Sequence, residues 1–180
     1  MADEVEALIH ATAVARGGAC VLLRGESGSG KSDLALRILA LGPTSGLPIF
    51  PANGERNSAA DASFRLVADD QVRLRREGEG IFARPPATIA GKLEVRGIGI
   101  VDFPAVASAR AVLVVELVAP KSVPRMPEHH SAEILGVVLP LIRLAPFEHS
   151  APLKVALALA SAATSISSEV SSGASRSPSD

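Results

Sequence analysis

Eight consecutive residues, Gly25-Glu26-Ser27-Gly28-Ser29-Gly30-Lys31-Ser32, fit the pattern of a loop that wraps the phosphates of a nucleotide. Glycines at positions 25, 28 and 30 let the backbone curl with its N–H groups turned inward. The amino end of a helix starting there adds a favourable field for anionic oxygens. Lys31 is then the cation for the β- and γ-phosphates, and the Ser32 hydroxyl is a ligand for Mg²⁺. The whole run, Gly25, Glu26, Ser27, Gly28, Ser29, Gly30, Lys31 and Ser32, is the candidate nucleotide site, with ATP and Mg²⁺ as the expected ligands.

Phosphoryl transfer also needs carboxylates near the metal and the attacking hydroxyl. Three apolar runs end on an acid: Leu66-Val-Ala-Asp69-Asp70, Ile98-Gly-Ile-Val-Asp102 and Val112-Leu-Val-Val-Glu116. A single acid at a strand end commonly serves a turn. The adjacent pair differs, because alternate strand residues face opposite sides and one of the two can face the phosphates. The pair at 69 and 70 is the better candidate, and sequence leaves open which member does what. Glu94 lies in a glycine-bearing strand, where glycine marks either close backbone approach or a bulge, and is a further candidate metal ligand. His10 by itself reads as a structural or surface histidine. His129, His130 and His149 lie in polar stretches without a third ligand at metal spacing and read as solvated.

Short elements must hold these groups. Residues 18–24 form an apolar run suited to a buried strand, and 33–41 repeat Leu34, Ile38 and Leu41 at helical spacing until Gly42-Pro43 stops them. Residues 43–63 are a long loop of Pro, Gly, Ser, Asn and Ala. Strands are expected at 64–70, in a hairpin turning at Glu77-Gly-Glu-Gly80, at 93–103, at 111–118 and around 134–144, the last broken by Pro140. A helix follows from Pro152 to about Ile166, and the Ser-rich residues 167–180 read as a disordered tail. The sum is an α/β fold: one P-loop kinase domain over residues 1–166, with a mixed central sheet and flanking helices.

Composition narrows the class. In 180 residues, Lys and Arg number 18 against 19 Asp and Glu, so bulk electrostatic binding of nucleic acid is not expected. Five Phe with no Trp or Tyr make a base-stacking platform for nucleic acid equally unexpected. One cysteine, Cys20, excludes an internal disulfide and a cysteine zinc site. No apolar run approaches the roughly 18 residues of a membrane helix. The amino end is acidic and unlike a signal peptide, so a cytoplasmic protein is expected.

Taken in order, these pieces resemble the catalytic domain of HPr kinase/phosphorylase. His10 precedes the phosphate loop at the family's spacing; Asp33 and a helix follow the loop. Leu-Val-Ala-Asp-Asp70 and the signature-like Leu93-Glu-Val-Arg-Gly-Ile-Gly-Ile-Val-Asp102 come after. The resemblance covers about residues 5–165 except the loop at 43–63, and is to a short form without the N-terminal domain of longer members. It implies a protein-serine kinase that also removes the phosphate by phosphorolysis, acting on an HPr-type phosphocarrier. It assigns Lys31, His10 and Arg125 to the active site, Asp70 to acid–base duty, and Ser32, Asp69 and Glu94 to the metal. Long members form hexamers, so a homo-oligomer is a further expectation. Where those members carry a Lys-rich segment ending Pro-Gly-Arg, tied to dephosphorylation, this chain reads Leu139-Pro-Leu-Ile-Arg-Leu-Ala-Pro-Phe-Glu-His149. Kinase activity is therefore expected ahead of phosphorylase activity. The competing readings are a P-loop kinase of a small molecule, which needs an enclosed acceptor pocket, and an ATP-binding regulatory module without turnover.

Overall fold

The computed structural model describes residues 5–42, 63–126 and 129–173, with side chains as far as Ser165. Among them lie β1 (Glu6–His10), β2 (Thr12–Arg16), β3 (Ala19–Arg24), α1 (Lys31–Leu39), β4 (Arg65–Ala68), β5 (Gln71–Glu77), β6 (Gly80–Arg84), β7 (Lys92–Val95), β8 (Gly99–Asp102), β9 (Ala109–Leu117), β10 (His130–Ile134), β11 (Val137–Leu144) and α2 (Ala151–Gly173). The main sheet runs β1-β5-β6-β9-β3-β2-β4, with β11 and then β10 branching from β9; β7 and β8 form a separate hairpin. Between named strands, β9 pairs parallel with β3 and with β11, and the remaining pairs are antiparallel. The architecture is the mixed α/β sheet with flanking helices that the sequence implies.

The sheet curls back on itself. β1 continues into β2 through Ala11 alone, and β4 into β5 through Asp69 and Asp70. Because β1 pairs with β5 and β2 with β4, the two links lie side by side, and the Ala11 N–H donates to the Asp70 carbonyl at 3.2 Å. Small side chains line the inside of this curl: Ala11, Ala13, Ala15, Ala83, Ala109 and Ala111, around Leu22, Leu74 and Ile81. On the other face, Val21, Leu23 and Val115 meet Leu34 and Ile38 of α1 and Val155 and Leu159 of α2. Each such Leu or Ile contributes about 1.5–3 kcal/mol by leaving water.

One extra residue shifts which side chains of β9 face the helices. Cys20 pairs with Ala111 but Val21 with Leu113, so Val112 is inserted as a bulge. Before it, Ala109 and Ala111 face the curl; beyond it, Leu113, Val115 and Leu117 face the helices. The bulge falls where β9 leaves β6, its partner at residues 109–111, and joins β11, its partner from Val114 onward.

Local differences from expectation have local causes. β1 and β2 were not anticipated, although Gly17 and Gly18, both at positive φ, make the turn from β2 into β3. β10 is formed by pairing with β11 across Leu135-Gly136, and Pro140 is the residue before β11 meets β9. Gly97 and Gly99 lie at φ 86° and 114° with nothing within 4 Å of an added Cβ. They serve the β7–β8 turn, and among the described residues nothing approaches them closely. The α2 backbone continues to Gly173, past the tail expected from 167, since no Pro or Gly interrupts before that residue. Residues 43–62 of the expected loop and 174–180 lie outside the described residues. No helix among the described residues is long and apolar enough to cross a membrane.

Candidate active site

Thr12, Lys31 and Asp69 are the buried polar or charged side chains among the described residues, and all three meet at the start of α1. Burying such groups is costly unless they are paired. Here the pairing is nearly complete. One Asp69 oxygen accepts from the Thr12 hydroxyl at 2.7 Å and from the Ser32 hydroxyl at 2.9 Å; the other accepts from the Glu94 N–H at 3.2 Å. A single carboxylate thus ties β2, α1 and β7 together.

The Gly25–Ser32 loop joins β3 to α1. Gly30 caps α1 at φ 92°, in the left-handed region that glycine enters freely, and its carbonyl accepts from the Leu34 N–H at 2.9 Å. Lys31 folds back along the loop and donates to the Gly25 and Glu26 carbonyls, each at 2.9 Å. Burial lowers its pKa from the ordinary lysine value, and the charges of Asp70 and Asp69 oppose that shift.

Asp70 differs from its neighbour in every respect. It lies at φ 63°, and the Gln71 N–H donates across it to the Asp69 carbonyl at 2.7 Å. That is a γ-turn at the positive-φ side, a strained conformation for a residue with a Cβ. Its side chain is 69% exposed, against 5% for Asp69 as a residue. His10 Nδ1 lies 3.0 Å from the Asp70 carbonyl and 3.2 Å from its carboxylate. Both neighbours are acceptors, so Nδ1 carries the hydrogen.

The structure gathers most of the residues singled out from sequence. His10, Ser27, Gly28, Gly30, Lys31, Ser32, Asp70 and Glu94 line one cavity of about 350 Å³. Asp69 lies beneath it through Ser32. Gly25, Glu26 and Ser29 line the other flank of the loop, a hollow of about 1060 Å³ with both apolar and charged walls. Arg125 lines neither; it borders a third space with His130, Arg143 and Lys154. His130 there is half-buried and not freely solvated. Sequence reasoning passed over Thr12, whose role depends on Asp69 being 57 residues away along the chain. It also passed over Phe147, which lines both the cavity and the hollow.

No cluster of three His, Cys, Asp or Glu suited to a metal occurs among the described residues. Mg²⁺ does not require one, since it is commonly held by one or two protein oxygens with phosphate and water. The hard oxygens of Ser32 and Asp69, 2.9 Å apart beside the phosphate loop, fit that donor set.

No protein-family model matches the chain. It is 34% identical over 108 residues to the HPr kinase/phosphorylase of Clostridium acetobutylicum, covering 60% of this chain and 29% of that protein. It is also 34% identical over 148 residues to the HPr kinase/phosphorylase of Chlorobium chlorochromatii, covering 75% and 38%. The chain thus spans between a quarter and two-fifths of the curated relatives it matches. Its fold is similar to that of the Hpr(Ser) kinase/phosphatase from Coxiella burnetii, with a TM-score of 0.63 and 26% identity over 83% of this chain and 91% of that one.

Proposed function

We propose that this chain, which resembles the HPr kinase/phosphorylases in sequence and in fold, is an ATP-dependent kinase of a serine on an HPr-type phosphocarrier. The carrying observation is the division between two adjacent acids. Asp69 is buried against the Ser32 hydroxyl, while Asp70 stands out on a strained turn at the mouth of the same cavity. An exposed carboxylate suits an acceptor presented on the surface of another protein better than a small molecule enclosed in a pocket. We place the reaction in the cytoplasm.

In the forward direction the phosphates of ATP lie in the Gly25–Ser32 loop, and Lys31 leaves the Gly25 and Glu26 carbonyls to meet the β- and γ-oxygens. Ser32 and Asp69, with Glu94 beside them on the same cavity, would hold Mg²⁺, which would supply charge neutralisation on those oxygens. Asp70 accepts the proton of the carrier's serine as its oxygen bonds to the γ-phosphorus and the bond to ADP breaks. General-base help of this kind contributes about 10²–10⁴-fold. In reverse, inorganic phosphate attacks the phosphoserine, Asp70 returns the proton to the departing serine oxygen, and pyrophosphate forms. His10 holds Asp70 in position. Arg125 is assigned to the site by the family resemblance alone.

The test is direct. The chain is incubated with ATP, Mg²⁺ and purified HPr-type carriers, and the carrier is mapped for phosphoserine. Phosphoserine that fails to form with Lys31→Ala supports the reading. Carriers left unmodified by the parent chain overturn it.

A further inference from the structure

Phe147 is 69% exposed, on a turn whose backbone is anchored on both sides. The Arg37 guanidinium on α1 donates to the carbonyls of both its neighbours, Pro146 and, at 3.3 Å, Glu148. Asp33 in turn orients Arg37, accepting from Nε at 3.0 Å. The ring abuts the phosphate loop so closely that a Cβ added to Gly30 would lie 2.9 Å from the ring's Cζ. An apolar ring left in water beside such a loop, on a turn anchored through its own backbone, is open to a ligand that reaches the loop.

The space beyond the ring indicates which part of a ligand. Parallel strands β3, β9 and β11 lie side by side and end at Arg24, Leu117 and Leu144. Ligands of open α/β sheets lie outside the carboxyl ends of such strands. The hollow of about 1060 Å³ sits there beside the phosphate loop, lined by Leu117, Pro146 and Phe147 together with Arg24 and three carboxylates, Glu26, Glu116 and Glu148. Phe147 also borders the phosphate cavity, so a molecule with phosphates at Lys31 passes the ring on its way into the hollow.

We propose that this hollow receives the base and ribose of the nucleotide, with Phe147 stacked on the base. The inference rests on the nucleotide reading of the Gly25–Ser32 loop and adds the element that distinguishes a nucleotide from bare polyphosphate. Aromatic stacking on a base is worth enough to shift affinity by about tenfold or more.

The chain contains no Trp or Tyr, so Phe147→Trp introduces a single indole reporter. Titration with ATP in Mg²⁺ buffer should quench its fluorescence, while inorganic tripolyphosphate should bind without quenching. Calorimetry on Phe147→Ala supplies the independent arm, with circular dichroism to verify that both variants fold. ATP affinity should fall by about tenfold or more, and tripolyphosphate affinity should stay at the parent value. Equal loss for both probes would make Phe147 a support of the loop, and no loss for either would leave it without a ligand role; each overturns the base assignment alone. Loss of carrier phosphorylation with unchanged ATP affinity would make the ring an acceptor contact, and overturns it too. A parent chain that binds neither probe removes the nucleotide reading itself.

Discussion

His10 holds Asp70 by two contacts from one ring nitrogen, to the backbone carbonyl at 3.0 Å and to the carboxylate at 3.2 Å. With the Ala11 N–H on the same carbonyl, two donors secure a residue whose φ of 63° would otherwise relax. His10 therefore acts through Asp70. His10→Ala should lower phosphotransfer by about tenfold or more with ATP affinity intact. Combined with Asp70→Asn it should cost no more than Asp70→Asn alone, because the two act as a unit. Additive losses in that double-mutant cycle would show an independent role for the imidazole.

Asp70→Asn should depress kinase activity and any phosphorylase activity together while ATP still binds. Microscopic reversibility makes the proton acceptor of one direction the donor of the other. Asp70→Gly separates geometry from chemistry, since glycine adopts positive φ without strain. It should unfold at or above the parent temperature yet transfer no phosphate at a measurable rate. Loss of one direction with the other intact would contradict a shared residue.

Asp69 should behave differently. Removing its carboxylate leaves the Thr12 and Ser32 hydroxyls and the Glu94 N–H without their acceptor. Asp69→Ala should cost about 2–4 kcal/mol in urea unfolding, given roughly 1–3 kcal/mol for each buried group left unsatisfied and partial relaxation. Asp69→Asn, which keeps an acceptor oxygen, should cost less. Equal stability of the two variants would show that the network contributes little to folding.

Glu94 donates its backbone N–H to Asp69 and lines the cavity beside Lys31. Glu94→Gln keeps the backbone bond and removes the charge. Turnover should fall and half-saturation by Mg²⁺ should move to higher concentration, with the unfolding temperature unchanged. An unaltered Mg²⁺ titration would make Glu94 a purely structural residue.

Cys20 supplies a pH signature. It is fully buried inside the curl, and burial pushes its thiol far above the ordinary range. The unfolded thiol releases its proton near about 8.5, the folded one does not, and the unfolded state gains as pH rises. The Cys20 contribution is thus complete below that value and declines above it. Lys31, with its pKa lowered, acts in the opposite sense as pH climbs towards the ordinary lysine value. Comparing the parent with Cys20→Ala isolates the thiol: the variant should show a shallower alkaline loss in urea unfolding. Iodoacetamide should label the native chain at pH 8.5 only as fast as it opens.

The legible parts of this site are those whose chemistry is contiguous. Gly25 to Ser32 carries its meaning in one stretch, because loop, cation and hydroxyl all come from eight neighbouring residues. The acid pair was legible as a pair from its own residues, but its division of labour came only with the family resemblance. That division depends on a γ-turn, which no alternation of strand faces foretells. Thr12 and Phe147 were invisible for another reason: each gains its role from a partner distant along the chain, Asp69 for one and the Gly30 loop for the other. His10 acquired a role only through the family resemblance, and the contact with Asp70 supplies its physical basis. Arg125, carried over on the same resemblance, borders a different space.

The methyl groups inside the curl have a consequence at some distance from themselves. The curl closes along a seam formed by Ala11 and the two acids, so its circumference sets where Asp70 stands relative to Lys31. Alanine at positions 13, 15, 83, 109 and 111 acts as a set of spacers of minimum thickness. Thickening one of them, as in Ala13→Val, must be absorbed either by rotamer strain of about 1–3 kcal/mol or by a wider curl. A wider curl parts at the seam first, because two of the bonds that close it, from Ala11 and His10, converge on one carbonyl. The gauge of the gap between Asp70 and Lys31 is therefore written in residues that line neither side of it.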